Sequence, residues 1–158
     1  MNSLLLAVLT TAVGALIGNV YRRSLAAKTR YYAEYTRFLR YAAADVACRR
    51  TSVPALAATF DTPDPNFSAH LREWTEGLKN DSHKLSRGCL SAAEADAVGQ
   101  TLFSIGRVDA ETQLRQLQLA ADEAAASHSA AAGKQDKYGN LAVKLGLLAG
   151  LAVGILLL

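Results

Sequence analysis

Few residues in this chain could carry redox or metal chemistry. The sequence contains two cysteines and three histidines. Cys48 and Cys89 form no C-x-x-C pair, so we expect reduced thiols that occupy small positions in the core. His70, His83 and His128 lie too far apart for a zinc-binding spacing such as H-E-x-x-H, so we expect them on the surface. The sequence therefore predicts no metal site.

Motifs for nucleotide binding and for acid–base catalysis are also missing. Gly133-Lys134 lacks the upstream glycine and the following Ser or Thr of a phosphate-binding loop. Glu73 and Glu76 lie on the polar side of an amphipathic stretch, where carboxylates are usually solvated. We therefore expect no catalytic residue and no cofactor, and we predict that the protein is not an enzyme.

Charge is absent from both ends of the chain. Residues 1–21 and residues 145–158 contain no Asp, Glu, Lys or Arg. As a helix, residues 3–20 would extend roughly 27 Å and residues 138–158 about 31 Å, against a hydrocarbon core of about 30 Å. Lys144 lies near the start of the second stretch, where its side chain can reach the head groups. These patterns predict transmembrane helices at 1–21 and 138–158 around a domain at 22–137.

The basic residues predict the orientation of that domain. Between Arg22 and Phe60 there are eight Lys or Arg and two acids. By the positive-inside rule the domain is cytoplasmic and both termini lie outside. Anionic lipid explains this basic stretch better than nucleic acid does, because the stretch follows a predicted span. A cleaved signal peptide is the alternative, since Val13-Gly14-Ala15 is a small-residue stretch, but signal peptides carry their basic residues before the apolar run.

Small residues recur every four positions in both predicted spans. In the second span they are Ala142, Gly146, Gly150 and Gly154, and in the first they are Thr10, Gly14 and Gly18. Such faces allow two helices in lipid to approach closely, and they predict a packed transmembrane interface. The alternative is background composition, because glycine is common in membrane helices.

The central part of the chain is predicted to be all-α, an antiparallel helical bundle. No stretch shows the alternation of a strand, whereas apolar residues recur at helical spacing. The predicted stripes are Tyr31, Tyr35, Phe38, Leu39, Ala42, Val46 and Arg49; Phe67, Leu71, Trp74 and Leu78, ending near Asn80-Asp81; Ala95, Val98, Leu102 and Ile105; and Leu114, Leu117, Ala121 and Ala124.

Capping residues mark the ends of these helices. Ser52 is expected to cap a short helix that contains Pro54, and Ser91 forms a capping box with Glu94. Gly106 is expected to end the following helix in a left-handed conformation, and Asp109 to cap the last one. The alanine-rich residues 120–133 favour a helix that either continues into the second span or breaks at Gly133 or at Gly139-Asn140.

The order of these features resembles the stage III sporulation protein AB family. The likeness covers nearly the whole chain and depends on Thr51-Ser52-Val53-Pro54-Ala55-Leu56, the lone Trp74, and a G-x-x-D-x-x-x-Q turn at Gly106, Asp109 and Gln113, all between two apolar ends. Two departures are Leu56-Ala57, where the family pattern has Ala followed by Leu, and Leu102, where it has a second glycine.

The resemblance implies a membrane component of the channel complex that joins mother cell and forespore during endospore formation. It also implies a domain similar to the helical bundle of type II secretion and type IV pilus platform proteins. The implied location is the mother-cell membrane around the forespore. The implied partners are a cytoplasmic secretion-type ATPase and other membrane components, with homo-oligomerisation left open. The alternative function is a membrane-anchored sensor or enzyme with a dispersed site.

Overall fold

The computed structural model describes residues 2–49, 51–80, 82 and 84–156, and side chains between Val8 and Ile155 within those ranges. Its five helices are α1 (Asn2–Cys48), α2 (Val53–Thr59), α3 (Pro65–Asn80), α4 (Ala92–Ser104) and α5 (Ala110–Leu156). These ranges contain no strand, so the all-α prediction is confirmed for them. Our expectations for Asp81, His83 and the last two leucines concern positions outside the described residues.

The chain forms two compact units, which we call the terminal unit (residues 1–29 and 129–158) and the central unit (residues 30–128). Both long helices contribute to both units, so the predicted limits at 21/22 and 137/138 do not coincide with helix ends. In particular, α5 passes through Gly133 and Gly139-Asn140 without a break. A glycine inside a helix costs about 1 kcal/mol relative to alanine. The neighbouring alanines and the helical segments on both sides favour the helix and offset this cost.

Aromatic rings fill the core of the central unit. Phe38 on α1 lies edge-on to Trp74 on α3 with 5.8 Å between ring centroids, and Tyr31 lies edge-on to Phe67 at 5.5 Å. Tyr31, Phe38, Phe67 and Trp74 are all fully buried. The prediction that Trp74 shares a core with the aromatic stripe of α1 is confirmed.

The helical stripes are buried over most of their length. On α4, the four predicted positions Ala95, Val98, Leu102 and Ile105 are all in the core. The exceptions are Val46 and Leu114, which are half-buried, and Arg49 and Leu78, which are exposed. On α3 the core position is taken by Gly77 instead of Leu78, because the Ser82 carbonyl and the Phe103 ring approach the helix there too closely for any side chain.

Two of the predicted caps form as expected and one does not. Ser91 accepts a hydrogen bond from the Glu94 N–H, and the Glu94 side chain accepts one from the Ser91 N–H, so the capping box is confirmed. Asp109 accepts a hydrogen bond from the Thr112 N–H at the start of α5. Ser52 occupies the N-cap position of α2 but makes no capping hydrogen bond. Here Asp45 orders the connection instead, accepting hydrogen bonds from the Thr51 N–H (2.8 Å) and hydroxyl (2.6 Å).

The prediction that both cysteines occupy positions in the core is wrong. Cys48 is exposed at the end of α1, and Cys89 is half-buried before α4. Their small size therefore does not place them inside.

Candidate functional site

The glycine stripes of the terminal unit meet each other. A Cβ added to Gly14 would collide with the backbone at Gly146, one added to Gly18 with the backbone at Ala142, and one added to Gly150 with the backbone at Thr10. The contacts advance four residues at a time in opposite directions along α1 and α5. The two segments are therefore antiparallel, and the stripes that the sequence singles out lie against one another.

The approach of the two backbones leaves no room for side chains. A Cβ at Gly150 would lie 2.6 Å from the Thr10 carbonyl oxygen and 2.7 Å from the Thr11 Cα. A Cβ at Gly18 would lie 2.5 Å from the Ala142 oxygen. Gly154, the last member of the stripe, is buried. By contrast, a Cβ at Gly133 would have no neighbour within 4 Å, so glycine is not required there by packing.

The second predicted group, Gly106, Asp109 and Gln113, forms one turn between α4 and α5. Gly106 has a φ of +84°, a conformation that side chains disfavour. Its N–H donates a 2.8 Å hydrogen bond to Gln113 Oε1, and Gln113 is buried. Hydrogen bonding to the Thr112 N–H lowers the pKa of Asp109, which caps α5 in its charged form. These residues shape the backbone of the turn.

A buried tyrosine–histidine pair is the feature that our sequence analysis missed. The Tyr31 hydroxyl lies 2.7 Å from His70 Nδ1, and both residues are in the core, so the prediction of a surface His70 is wrong. Burial lowers the pKa of His70 and raises that of Tyr31, so both are neutral at pH 7. A signal was present, because His70 follows Phe67 by three residues and precedes Trp74 by four, which places it on the apolar face of α3.

The tyrosine–histidine pair is part of the packed core of the central unit. The Tyr31 hydroxyl and His70 Nδ1 share one hydrogen bond, and a Cβ added to Gly88 would lie 3.6 Å from His70 Nε2, so the loop before α4 covers the ring. His128 is half-buried and lies on another helix. Among the described residues, no group of three or more His, Cys, Asp or Glu side chains could hold a metal ion.

Comparison with known proteins identifies one family whose model matches the sequence. The model of the family described as stage III sporulation protein AB matches residues 3–158, a range that includes both the glycine contacts and the turn. No curated protein sequence matches the chain. No solved structure matches it either.

Proposed function

The chain belongs to the stage III sporulation protein AB family, and from this premise we propose that it is a membrane platform of the mother cell–forespore channel complex. In this function it has no enzymatic activity. It holds a cytoplasmic domain at the membrane, where a secretion-type ATPase and the other membrane components assemble. The family match supports a role in sporulation.

The observation that carries the proposal is the inverted packing of the terminal unit. Its small residues face each other, whereas its large apolar side chains point outward: Leu9, Leu16 and Ile17 on α1 are 62–65% exposed, and Leu148 and Ile155 on α5 are 60–62% exposed. Water disfavours such a surface, but lipid does not, and close packing of small residues is how helices associate in lipid.

Hydropathy supports the same environment. Within the described residues, one helix, Ala110–Ile155, is long and apolar enough to cross a membrane. We propose that the N-terminal half of α1 crosses beside it as the second span. The basic excess after residue 21 then sets the central unit in the cytoplasm and both termini outside, in the mother-cell membrane that surrounds the forespore.

The proposal of an ATPase partner is based on the absence of a phosphate-binding loop from this sequence. Transport through a channel needs energy, and no phosphate-binding loop occurs in the sequence. We propose that a cytoplasmic secretion-type ATPase supplies it by docking on the central unit. The exposed helices of that unit carry many polar side chains, which suits contact with a soluble partner.

Co-isolation from sporulating cells tests the proposal. The tagged full-length chain is purified from solubilised membranes, and the ATPase encoded in the same operon is measured by immunoblot. We expect the ATPase to co-purify with the wild type and not with Phe38→Ala, which removes a ring from the central core. Co-purification of the other membrane components without the ATPase would contradict the docking, and recovery of the chain from the soluble fraction would contradict the platform.

A further inference from the structure

The central unit carries a groove on one side, between α4 and α5. Its volume is about 280 Å³. Alanines such as Ala97 and Ala120 line its walls, Tyr35 of α1 lies at its base, and it contains two carboxylates, Glu94 and Glu123, but no Lys or Arg. Small walls allow another helix to approach closely, and the unbalanced charge favours a basic occupant.

The two carboxylates differ in what they already do. Glu94 is held by its capping box with Ser91. Glu123 is exposed, and it makes no ion pair within the described part of the chain. Leu119, one turn earlier on α5, is 65% exposed beside it. Burial raises the pKa of Tyr35 to about 12, so its hydroxyl remains a hydrogen-bond donor at neutral pH.

The same chain presents a surface of the complementary kind. Exposed residues recur on α1 at spacings of four and three, which forms a stripe of Ala33, Arg37, Arg40, Ala44 and Ala47. Arg37 is already occupied, because it pairs with Glu34 and stacks on the Phe60 ring. Arg40 makes no ion pair within the described residues, so its charge is available.

We propose that the groove is the docking site for a second copy of this chain, with the α1 stripe of that copy in the groove and its Arg40 opposite Glu123. Both halves of the contact are on the central unit, and their charges are opposite. Tyr35, at the base of the groove, lies on another side of α1 from the stripe. The contact is therefore heterologous, and each copy can receive one neighbour and dock on another.

Charge reversal tests this contact in the full-length chain. Two differently tagged copies are co-expressed, solubilised in mild detergent and isolated through one tag, and the second is quantified. We expect Glu123→Arg, present in both copies, to lower the co-isolated amount at least about tenfold, and Arg40→Glu to do the same. The first matched control is Asp122→Arg, which changes an exposed acid outside the groove. The second is Arg49→Glu, which changes an exposed base outside the α1 docking stripe of Ala33, Arg37, Arg40, Ala44 and Ala47. Both should associate like the wild type.

Mixing the two charge-reversed variants gives one further expected result for a heterologous contact. When one copy carries Glu123→Arg and the other carries Arg40→Glu, the mutant groove of the first copy faces the mutant stripe of the second with opposite charge, so association should return. The double variant Arg40→Glu with Glu123→Arg should also associate. Wild-type copies that do not co-isolate, single variants that still do, controls that fail, or mixed copies that stay apart would each overturn the proposal.

Discussion

At the scale of single residues, Gly150 is the clearest case of a position where no side chain fits. Leucine there would need the space that the Thr10 carbonyl and the Thr11 Cα occupy. We therefore expect Gly150→Leu to separate the two segments of the terminal unit while insertion into the membrane persists, because leucine is at least as compatible with lipid as glycine. Sporulation should then fail although the variant stays in the membrane fraction, which spore counts and immunoblots of the membranes measure.

Gly133 provides the matched control for that change. It lies on the same helix and has no neighbour within 4 Å of an added Cβ. Gly133→Leu should therefore leave sporulation unchanged and should favour the helix by several tenths of a kcal/mol. If Gly150→Leu also leaves sporulation unchanged, the glycine stripe reflects only composition.

His70 gives the central unit a pH dependence. Its pKa lies below the usual 6.5 because burial disfavours the charged ring. The unfolded chain therefore binds this proton at a higher pH than the folded chain does. We expect the stability of the central unit to be highest above pH 6.5 and to fall as the pH decreases below that value.

The buried Trp74 is a convenient probe of this dependence, since it is the sole tryptophan. Thermal unfolding followed by its fluorescence should give a Tm that decreases between pH 6.5 and pH 5. In His70→Gln the Tm should be lower overall and should depend less on pH over this interval. An equal slope in the wild type and the variant would assign the dependence to other groups.

At the scale of elements, the turn between α4 and α5 should govern stability. Gly106→Val places a β-branched residue at a φ of +84° and brings its Cβ within 3.0 Å of Val53 Cγ2. Asp109→Ala removes the cap of α5, at a cost of about 0.5–2 kcal/mol. We expect both to lower the Tm reported by Trp74, with Gly106→Val the more severe. Unchanged stability in both variants would instead point to a role in contacting a partner.

The sequence predicts helices better than it predicts their ends and their buried polar groups. Periodic apolar residues and the Ser91–Glu94 box are local signals, and the structure follows them. The continuity of α5 through Gly139 was left open because its flanking contacts come from distant parts of the chain. The place of His70 on the apolar face of α3 is a local signal for its burial, but its partner Tyr31 lies 39 residues earlier and has no local signal. The meeting of Gly14 with Gly146 could be predicted only as a preference for close packing, without its register.

At the scale of the whole molecule, the two units should fail independently. Trp74 is fully buried against Phe38, so Trp74→Ala should cost about 3–5 kcal/mol, enough to unfold a marginal domain. The terminal unit does not contain this residue, so the full-length variant should remain in the membrane fraction. Limited proteolysis of membranes should cut its central unit faster than that of the wild type. Equal protease resistance would show that Trp74 contributes little to the fold.

The central claim is that the central unit lies in the cytoplasm while both termini lie outside. It is tested most directly in non-sporulating cells that express the chain, because the outer face of their membrane is open to reagents. In such intact cells Cys48, which is exposed on the central unit, is treated with a membrane-impermeant maleimide. A second variant carries Cys48→Ser, Cys89→Ser and a new cysteine at Ser3. The account predicts that the Ser3→Cys position reacts in intact cells and that Cys48 reacts only after permeabilisation. Labelling of Cys48 from outside would contradict it.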